Sequence, residues 1–159
     1  MNCEITRALR SDAEAINELF TEMLRTIYHT DDVSGYEDGY LDRYFTDGTE
    51  DRVFVARIGG KVIAFMSLQV YRGEEPPYVY FDDISVRAEH RGQGIGTALI
   101  RAAEEYVRGT GMSAVVFHVE KTNTQAFRLY ERLGYSVFRD DGDRYLMQKD
   151  ITPLTNGGK

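Results

Sequence analysis

One cysteine, Cys3, stands among the 159 residues. A lone thiol excludes an internal disulfide and a cysteine-based metal cluster, and no metal site is expected. No histidine or other base neighbours Cys3 in sequence, so it reads as a structural thiol and not as an acyl carrier. No apolar run approaches the roughly 20 residues of a membrane-spanning helix. The opening Met1-Asn2-Cys3-Glu4-Ile5 lacks the basic and apolar regions of a secretory leader, so a cytoplasmic protein without a membrane partner is expected. Internal repeats, low-complexity blocks and long linkers are missing as well. Residues 1–150 therefore read as a single domain, and 151–159 as a polar tail.

Positive charge is scarce in one stretch above all. The formal net charge is −7, and between Asp31 and Asp51 eight acids (Asp31, Asp32, Glu37, Asp38, Asp42, Asp47, Glu50, Asp51) face Arg43 alone. Nucleic acid is a poor partner for such a surface, because phosphate binding calls for clustered Lys and Arg. A cationic substrate fits it better. A solvated helix and loop that carry charge for solubility account for it equally well.

The elements that are present follow from periodicity. Ile5, Arg7 and Leu9 mark the edge of a first strand. Ser11 or Asp12 caps a helix whose apolar stripe is Ala15, Ile16, Leu19, Phe20 and Met23. Residues 35–46 predict a short second helix carrying Tyr40, Leu41, Tyr44 and Phe45. Residues 52–58 and 61–71 are β-branched and aromatic runs joined by Gly59-Gly60, a hairpin signal. A strand over 78–86 follows, and the pattern then alternates between helix and strand. A glycine-rich turn opens a helix with Leu99, Ala103 and Val107 on one face. Residues 112–120 read as a strand, 123–133 as a helix closed by Gly134, and 135–138 and 144–148 as a last strand pair.

The turn itself, Arg91-Gly92-Gln93-Gly94-Ile95-Gly96-Thr97, carries the strongest chemical signal. Where a strand runs out into a helix, the first backbone amides point outward beside the positive end of the helix dipole and together bind anions. Glycine lets the backbone approach a diphosphate closely, and Arg91 adds charge-assisted contacts. A dinucleotide fingerprint is a poor match, since the three glycines are evenly spaced and Thr97 sits where its third glycine belongs. A nucleoside-triphosphate loop needs a lysine that is missing here.

Ile84-Ser85-Val86 followed by Arg91-Gly92-Gln93-Gly94-Ile95-Gly96 resembles the cofactor motif of the GNAT superfamily of N-acetyltransferases. Residues 123–135, Asn-Thr-Gln-Ala-Phe-Arg-Leu-Tyr-Glu-Arg-Leu-Gly-Tyr, are similar to that family's second signature. The element order agrees from about residue 3 to residue 150. The resemblance implies an α/β (α+β) fold: a mixed, mostly antiparallel sheet of about six to seven strands flanked by helices, with a splayed parallel strand pair at the cofactor cleft. It implies acetyl-CoA as donor and direct transfer to an amine. On the family's pattern the main-chain amides of Ile84 and Val86 hold the pantetheine and the thioester oxygen, with Ser85 between them. The amides of Gly92, Gln93, Gly94, Ile95, Gly96 and Thr97, with Arg91, hold the diphosphate. Asn123 and Ala126 would contact the cofactor at the start of the later helix.

Asn123 and Tyr130 lie seven residues apart, about two helical turns, and so share a face. Tyr130 is expected to protonate the departing thiolate, since phenol and thiol pKa values lie close enough; packing beside Leu129 and Leu133 is its plain alternative. The base is open. Tyr80-Phe81-Asp82-Asp83-Ile84 resembles the strand of the polyamine-acetylating members, in which Asp82 would face the amine. His118 falls where some protein-acetylating members carry a glutamate. A water chain without one dominant base is the third choice. A small cationic amine, a polyamine or an aminoglycoside-like compound, is the expected acceptor; a protein or peptide amine, or a binding module without catalysis, are the alternatives. Many members of the family pair as homodimers.

Overall fold

Seven strands form one sheet in the computed structural model, which describes residues 3–154. They are β1 (Cys3–Arg7), β2 (Arg52–Ile58), β3 (Lys61–Tyr71), β4 (Tyr78–Val86), β5 (Ala114–Glu120), β6 (Ser136–Asp140) and β7 (Arg144–Asp150), in the order β1-β2-β3-β4-β5-β7-β6. Three helices accompany them: α1 (Ala13–Tyr28), α2 (Ile95–Thr110) and α3 (Thr124–Arg132). The pairs β1/β2, β2/β3, β5/β7 and β6/β7 are antiparallel. The β4/β5 pair is parallel, and its ladder comprises only Val79↔Val115 and Tyr80↔Val116. This is the mixed, mostly antiparallel sheet expected from the sequence. No helix among the described residues is long and apolar enough to cross a membrane.

The expected bounds of β2, β3 and β4 coincide with the observed ones; Gly59-Gly60 separates β2 from β3, and Pro76-Pro77 directly precedes β4. Four expectations need correction. β1 stops at Arg7 and leaves Leu9 exposed, because the Leu9 amide turns back to the Asp12 carboxylate, 2.8 Å away, and starts a 3-10 turn. Asp12 therefore gives α1 no side-chain cap; its two oxygens also receive both terminal nitrogens of Arg57. The helix expected over 35–46 shrinks to a 3-10 helix, Tyr40–Tyr44, which the left-handed Gly39 opens. β5 starts at Ala114, two residues late, since Met112 still belongs to the turn after Gly111.

The chain divides into two compact units that interleave in sequence, one of residues up to 68 with 83–103, the other of 69–82 with residues from 104 onward. In the first, Ala8, Ile16, Leu19, Tyr44, Val53, Val55, Val62 and Phe65 make one buried cluster. A fully buried Leu or Ile there stabilises by about 1.5–3 kcal/mol. Around it the rings of Phe20, Tyr36 and Tyr40 stack in a row, with centroids 3.8 and 4.9 Å apart. Asn17 holds the row by accepting the Tyr36 amide at 2.7 Å.

In the second unit, β5 alternates with Val115, Phe117 and Val119 buried, the period of two that a half-covered strand requires. α3 ends in a left-handed glycine motif: Gly134, at φ +99°, donates to Glu131 O, and Tyr135 donates to Tyr130 O. That reversal drives Tyr135 inward, where its hydroxyl reaches the buried Glu104 at 2.7 Å. Lys149 completes the trio, donating to Glu104 at 3.0 Å and to the Leu133 carbonyl at 2.8 Å. The expected polar tail is tied down through Leu154, whose amide donates to Arg108 O; residues 155–159 lie outside the described residues.

Candidate active site

The glycine-rich turn belongs to the first unit. β4 ends with Ile84 and Val86 half-buried and Ser85 buried, its hydroxyl turned toward the Leu19 carbonyl of α1 at 3.4 Å. The serine side chain is thus spent inside, and only its backbone is available outside. Gly92 and Gly94 adopt φ of +76° and +82°, a region that L side chains rarely visit. A Cβ at either position would meet nothing within 4 Å, so the loop stands open. Ala98 donates to Gly94 O, which makes Gly94 the residue before the first helical turn and leaves the amides of Ile95, Gly96 and Thr97 outside the helix ladder. Ile95 is buried and anchors that turn, while Gln93 is exposed. A Cβ on Gly96 would sit 3.9 Å from Ile84, so the helix start and the end of β4 nearly touch.

Arg91 folds back to donate to Val86 O at 2.9 Å. Two further nitrogens beside the turn, Arg87 Nε and His90 Nδ1, are buried with no hydrogen-bond partner among the described residues. Unpaired buried polar atoms are costly and rare. Outward amides and open glycines suit an anionic phosphate group, so the residues fit the cofactor expected from the sequence.

The second unit holds Tyr80, Asp82, His118, Tyr130 and Asp141. Tyr80 of β4 sits where the parallel ladder ends, and its hydroxyl lies 2.7 Å from Nδ1 of His118 on β5. The other ring nitrogen, Nε2, lies 2.9 Å from the Asp141 carboxylate in the β6–β7 turn. Asp141 also accepts from Arg139, at 2.6 and 3.0 Å. The arginine's hydrogen bond, and after it the histidine's, draw the Asp141 carboxyl down to about 2. A carboxylate can only accept here, so Nε2 of His118 carries a proton, and in the neutral ring Nδ1 is then bare toward the phenol. Sequence reading singled out His118 but neither Tyr80 nor Asp141. They lie 38 and 23 residues from it.

Asp82 is exposed, and Gln69 donates to it at 3.2 Å while accepting from Tyr71 at 2.7 Å. Asp83 takes the other face, as regular strand alternation requires. In the first unit its carboxylate accepts from Tyr36 at 2.7 Å. Tyr130 is half-buried on α3, edge-on to Phe117 at 4.5 Å, and burial pushes its phenol above the ordinary value. Asn123 uses its side-chain oxygen to cap α3, accepting the Ala126 amide at 3.2 Å. That amide is therefore engaged within the helix start. No group of three metal-ligating side chains occurs among the described residues.

The sequence profile described as the acetyltransferase (GNAT) family matches residues 16–135. The chain belongs to that family. As a member it is an acetyltransferase that takes its acetyl group from acetyl-CoA. An uncharacterised N-acetyltransferase of Methanocaldococcus jannaschii is 28% identical over 146 residues, covering 87% of this acetyltransferase and 85% of the relative. The N-alpha-acetyltransferase 30 of Schizosaccharomyces pombe is 32% identical over 112 residues, covering 68% of this chain and 73% of its own. YncA from Salmonella typhimurium, solved with acetyl-CoA, shares the fold at a TM-score of 0.79, with 23% identity and 98% of both chains covered.

Proposed function

We propose that this acetyltransferase acetylates a primary amine whose proton is removed through Tyr80 and His118, and that the amine is the α-amino group of a peptide or protein. The hydrogen-bonded chain Tyr80–His118–Asp141 carries the reading. An alkyl amine with a pKa near 10 is almost wholly protonated at neutral pH and must lose a proton before it attacks. The Tyr80 phenol donates to Nδ1 of His118, and a hydroxyl oxygen that donates its proton there is also an acceptor that an incoming N–H can meet. As the phenol oxygen takes the amine's proton, its own proton passes to Nδ1. The amine is left neutral, the imidazole becomes a cation, and the tyrosine is unchanged.

Acetyl-CoA supplies the thioester carbonyl and a thiol leaving group. Toward it the chain offers the amides of Ile84 and Val86 for the carbonyl oxygen, worth a few kcal/mol apiece where charge develops. The turn 91–97 takes the diphosphate, and Asn123 and Ala126 border the cofactor at the start of α3. Tyr130 holds the proton for the sulfur; its raised pKa keeps it protonated at neutral pH. Support for a peptide acceptor comes from the yeast N-alpha-acetyltransferase relative. Electrostatics points the same way. Of the eight acids over 31–51, Asp31 pairs with Arg25, Asp42 with Arg10 and Asp51 with Arg43, so less charge is left to attract a polycation. A small cationic amine is the second reading, favoured by the exposed Asp82 carboxylate.

The test joins mutants to an acceptor screen. His118→Gln and Tyr80→Phe should each lower kcat on the order of 10²-fold, the double variant should be little worse, and the rise in Tm caused by acetyl-CoA should persist. Acetyl-CoA consumption should be fastest with peptides carrying a free N-terminus, ahead of polyamines, aminoglycosides and amino acids. Wild-type turnover in both single variants, with a large loss in Asp82→Asn, would move the base to Asp82.

A further inference from the structure

The β6–β7 turn carries more construction than a reversal between two strands needs. β6 holds a register shift between Val137 and Arg139, the mark of a bulge, and the extra residue Phe138 is exposed. A bulge re-aims the side chains that follow it. After it come Arg139, Asp140 and Asp141, and the turn is locked from two sides. Gly142, at φ +87°, donates to the Asp140 carboxylate at 3.0 Å, and Lys121 pairs with both oxygens of Asp140 at 2.8 and 2.9 Å. The Lys121 amide donates to Asp143 O, and the Asp141 amide donates to Arg144 O. With the backbone held in this way, the Asp141 carboxylate lies against Nε2 of His118 while Arg139 grips both its oxygens.

We infer that Asp141, clamped by Arg139, is the positioning residue of the proton relay: it selects the His118 tautomer that leaves Nδ1 bare for Tyr80. The inference rests on the relay proposed above and adds a group that acts through His118. The two imidazole tautomers differ little in water, so an isolated His118 would populate both, and in one of them Nδ1–H would face the phenol and could take no proton. A fixed carboxylate at Nε2 removes that state. It also holds the ring in plane when Nδ1 gains its proton, because the cation then donates at both nitrogens. Arg139 keeps the carboxylate ionised and fixed in orientation. Glu120, the neighbouring acid of β5, is exposed and lies at the end of the strand, and among the described residues it makes no ion pair with the ring.

The experiment is nitrogen-15 NMR of His118 in the full chain, beside steady-state kinetics. Wild type should show Nε2 protonated and Nδ1 bare. Asp141→Ala should mix the two forms and lower kcat on the order of 10-fold, with KM for acetyl-CoA unchanged, and Asp141→Glu should recover part of both. Arg139→Gln, which leaves the turn's backbone and the Lys121–Asp140 pair intact, should give a smaller change of the same kind, and it stands in if Asp141→Ala does not fold. An unmixed tautomer in both Asp141→Ala and Arg139→Gln overturns the inference, even if activity falls, because the residue is then only structural. If His118→Gln is inactive while Asp141→Ala turns over like wild type, this inference fails alone. If His118→Gln is fully active, the relay itself is wrong.

Discussion

The glycine-rich turn of the first unit and the Tyr80–His118–Asp141 chain of the second differ in which atoms they offer. The turn offers backbone. Its positive-φ glycines, the bare amides in the first turn of α2 and the folded-back Arg91 would serve with almost any side chains around them. The chain offers side chains drawn from a strand of each ladder partner and from a distant reversal, held at 2.7 and 2.9 Å. Backbone sites are written in consecutive residues and suit a constant partner, the cofactor. Side-chain sites are assembled by tertiary structure, and they are where one member of a family can come to differ from another.

The sharpest way to break that comparison is at Gly94. Its φ of +82° costs a non-glycine residue roughly 1–2 kcal/mol, and a β-branched one resists it most. Gly94→Val should therefore abolish the Tm rise on acetyl-CoA and lower kcat/KM on the order of 10³-fold for every acceptor alike. Circular dichroism should report an intact fold. His118→Gln is the contrasting variant, since it should keep the cofactor-induced shift and lose only turnover. If Gly94→Val still binds acetyl-CoA normally, the open loop is not the phosphate cradle.

The same contrast explains what the sequence made legible. The hairpin at Gly59-Gly60, the bounds of β4, the stripe of Leu99, Ala103 and Val107, and the Gly134 reversal all depend on neighbours within a few residues, and all appear where periodicity put them. The cap at Asp12 was misread because Arg57, 45 residues away, takes its carboxylate. The charge balance of the acidic stretch is likewise set partly from a distance, because two of the arginines that pair with it, Arg10 and Arg25, lie outside it in sequence. Tyr80 stood within a segment already marked for its carboxylates, and its place at the end of the short parallel ladder is the signal that would have drawn attention to it. Asp141 had only the turn sequence Asp-Asp-Gly-Asp, which suits any tight reversal.

Tyr130 sharpens the comparison from another side, as a side chain that the local motif did announce. Tyr130→Phe should lower kcat on the order of 10²-fold and leave acetyl-CoA affinity within a few-fold. The pH dependence has a definite sign. Burial raises the phenol pKa above 10, so the wild-type residue stays protonated throughout the neutral and mildly alkaline range. The variant should turn over more slowly at every pH without moving any alkaline limb that lies below pH 10. A limb that disappears in Tyr130→Phe would show that the phenol titrates there, and that burial is not what governs it.

The smallest expected effect belongs to the acids over 31–51, and it separates the two acceptor classes. Glu37, Asp38 and Asp47 are exposed, whereas Asp42 and Asp51 already answer Arg10 and Arg43 at 3.1 Å. Exposed charges act at a distance and are screened, so removing three of them should change encounter and not chemistry. In the variant Glu37→Gln, Asp38→Asn, Asp47→Asn, KM for a polyamine should rise by roughly 2–3-fold with kcat unchanged. KM for a peptide of low net charge should hold steady. At 1 M salt, where the screening length falls to about 3 Å, the polyamine difference should vanish. Arg10→Ala offers the opposite sign, because it frees Asp42 and should lower the polyamine KM slightly. A rise well beyond 10-fold, confined to the polyamine and abolished by salt, would mean that the acids form part of the acceptor's own binding surface, and the small cationic amine would then displace the peptide as the substrate.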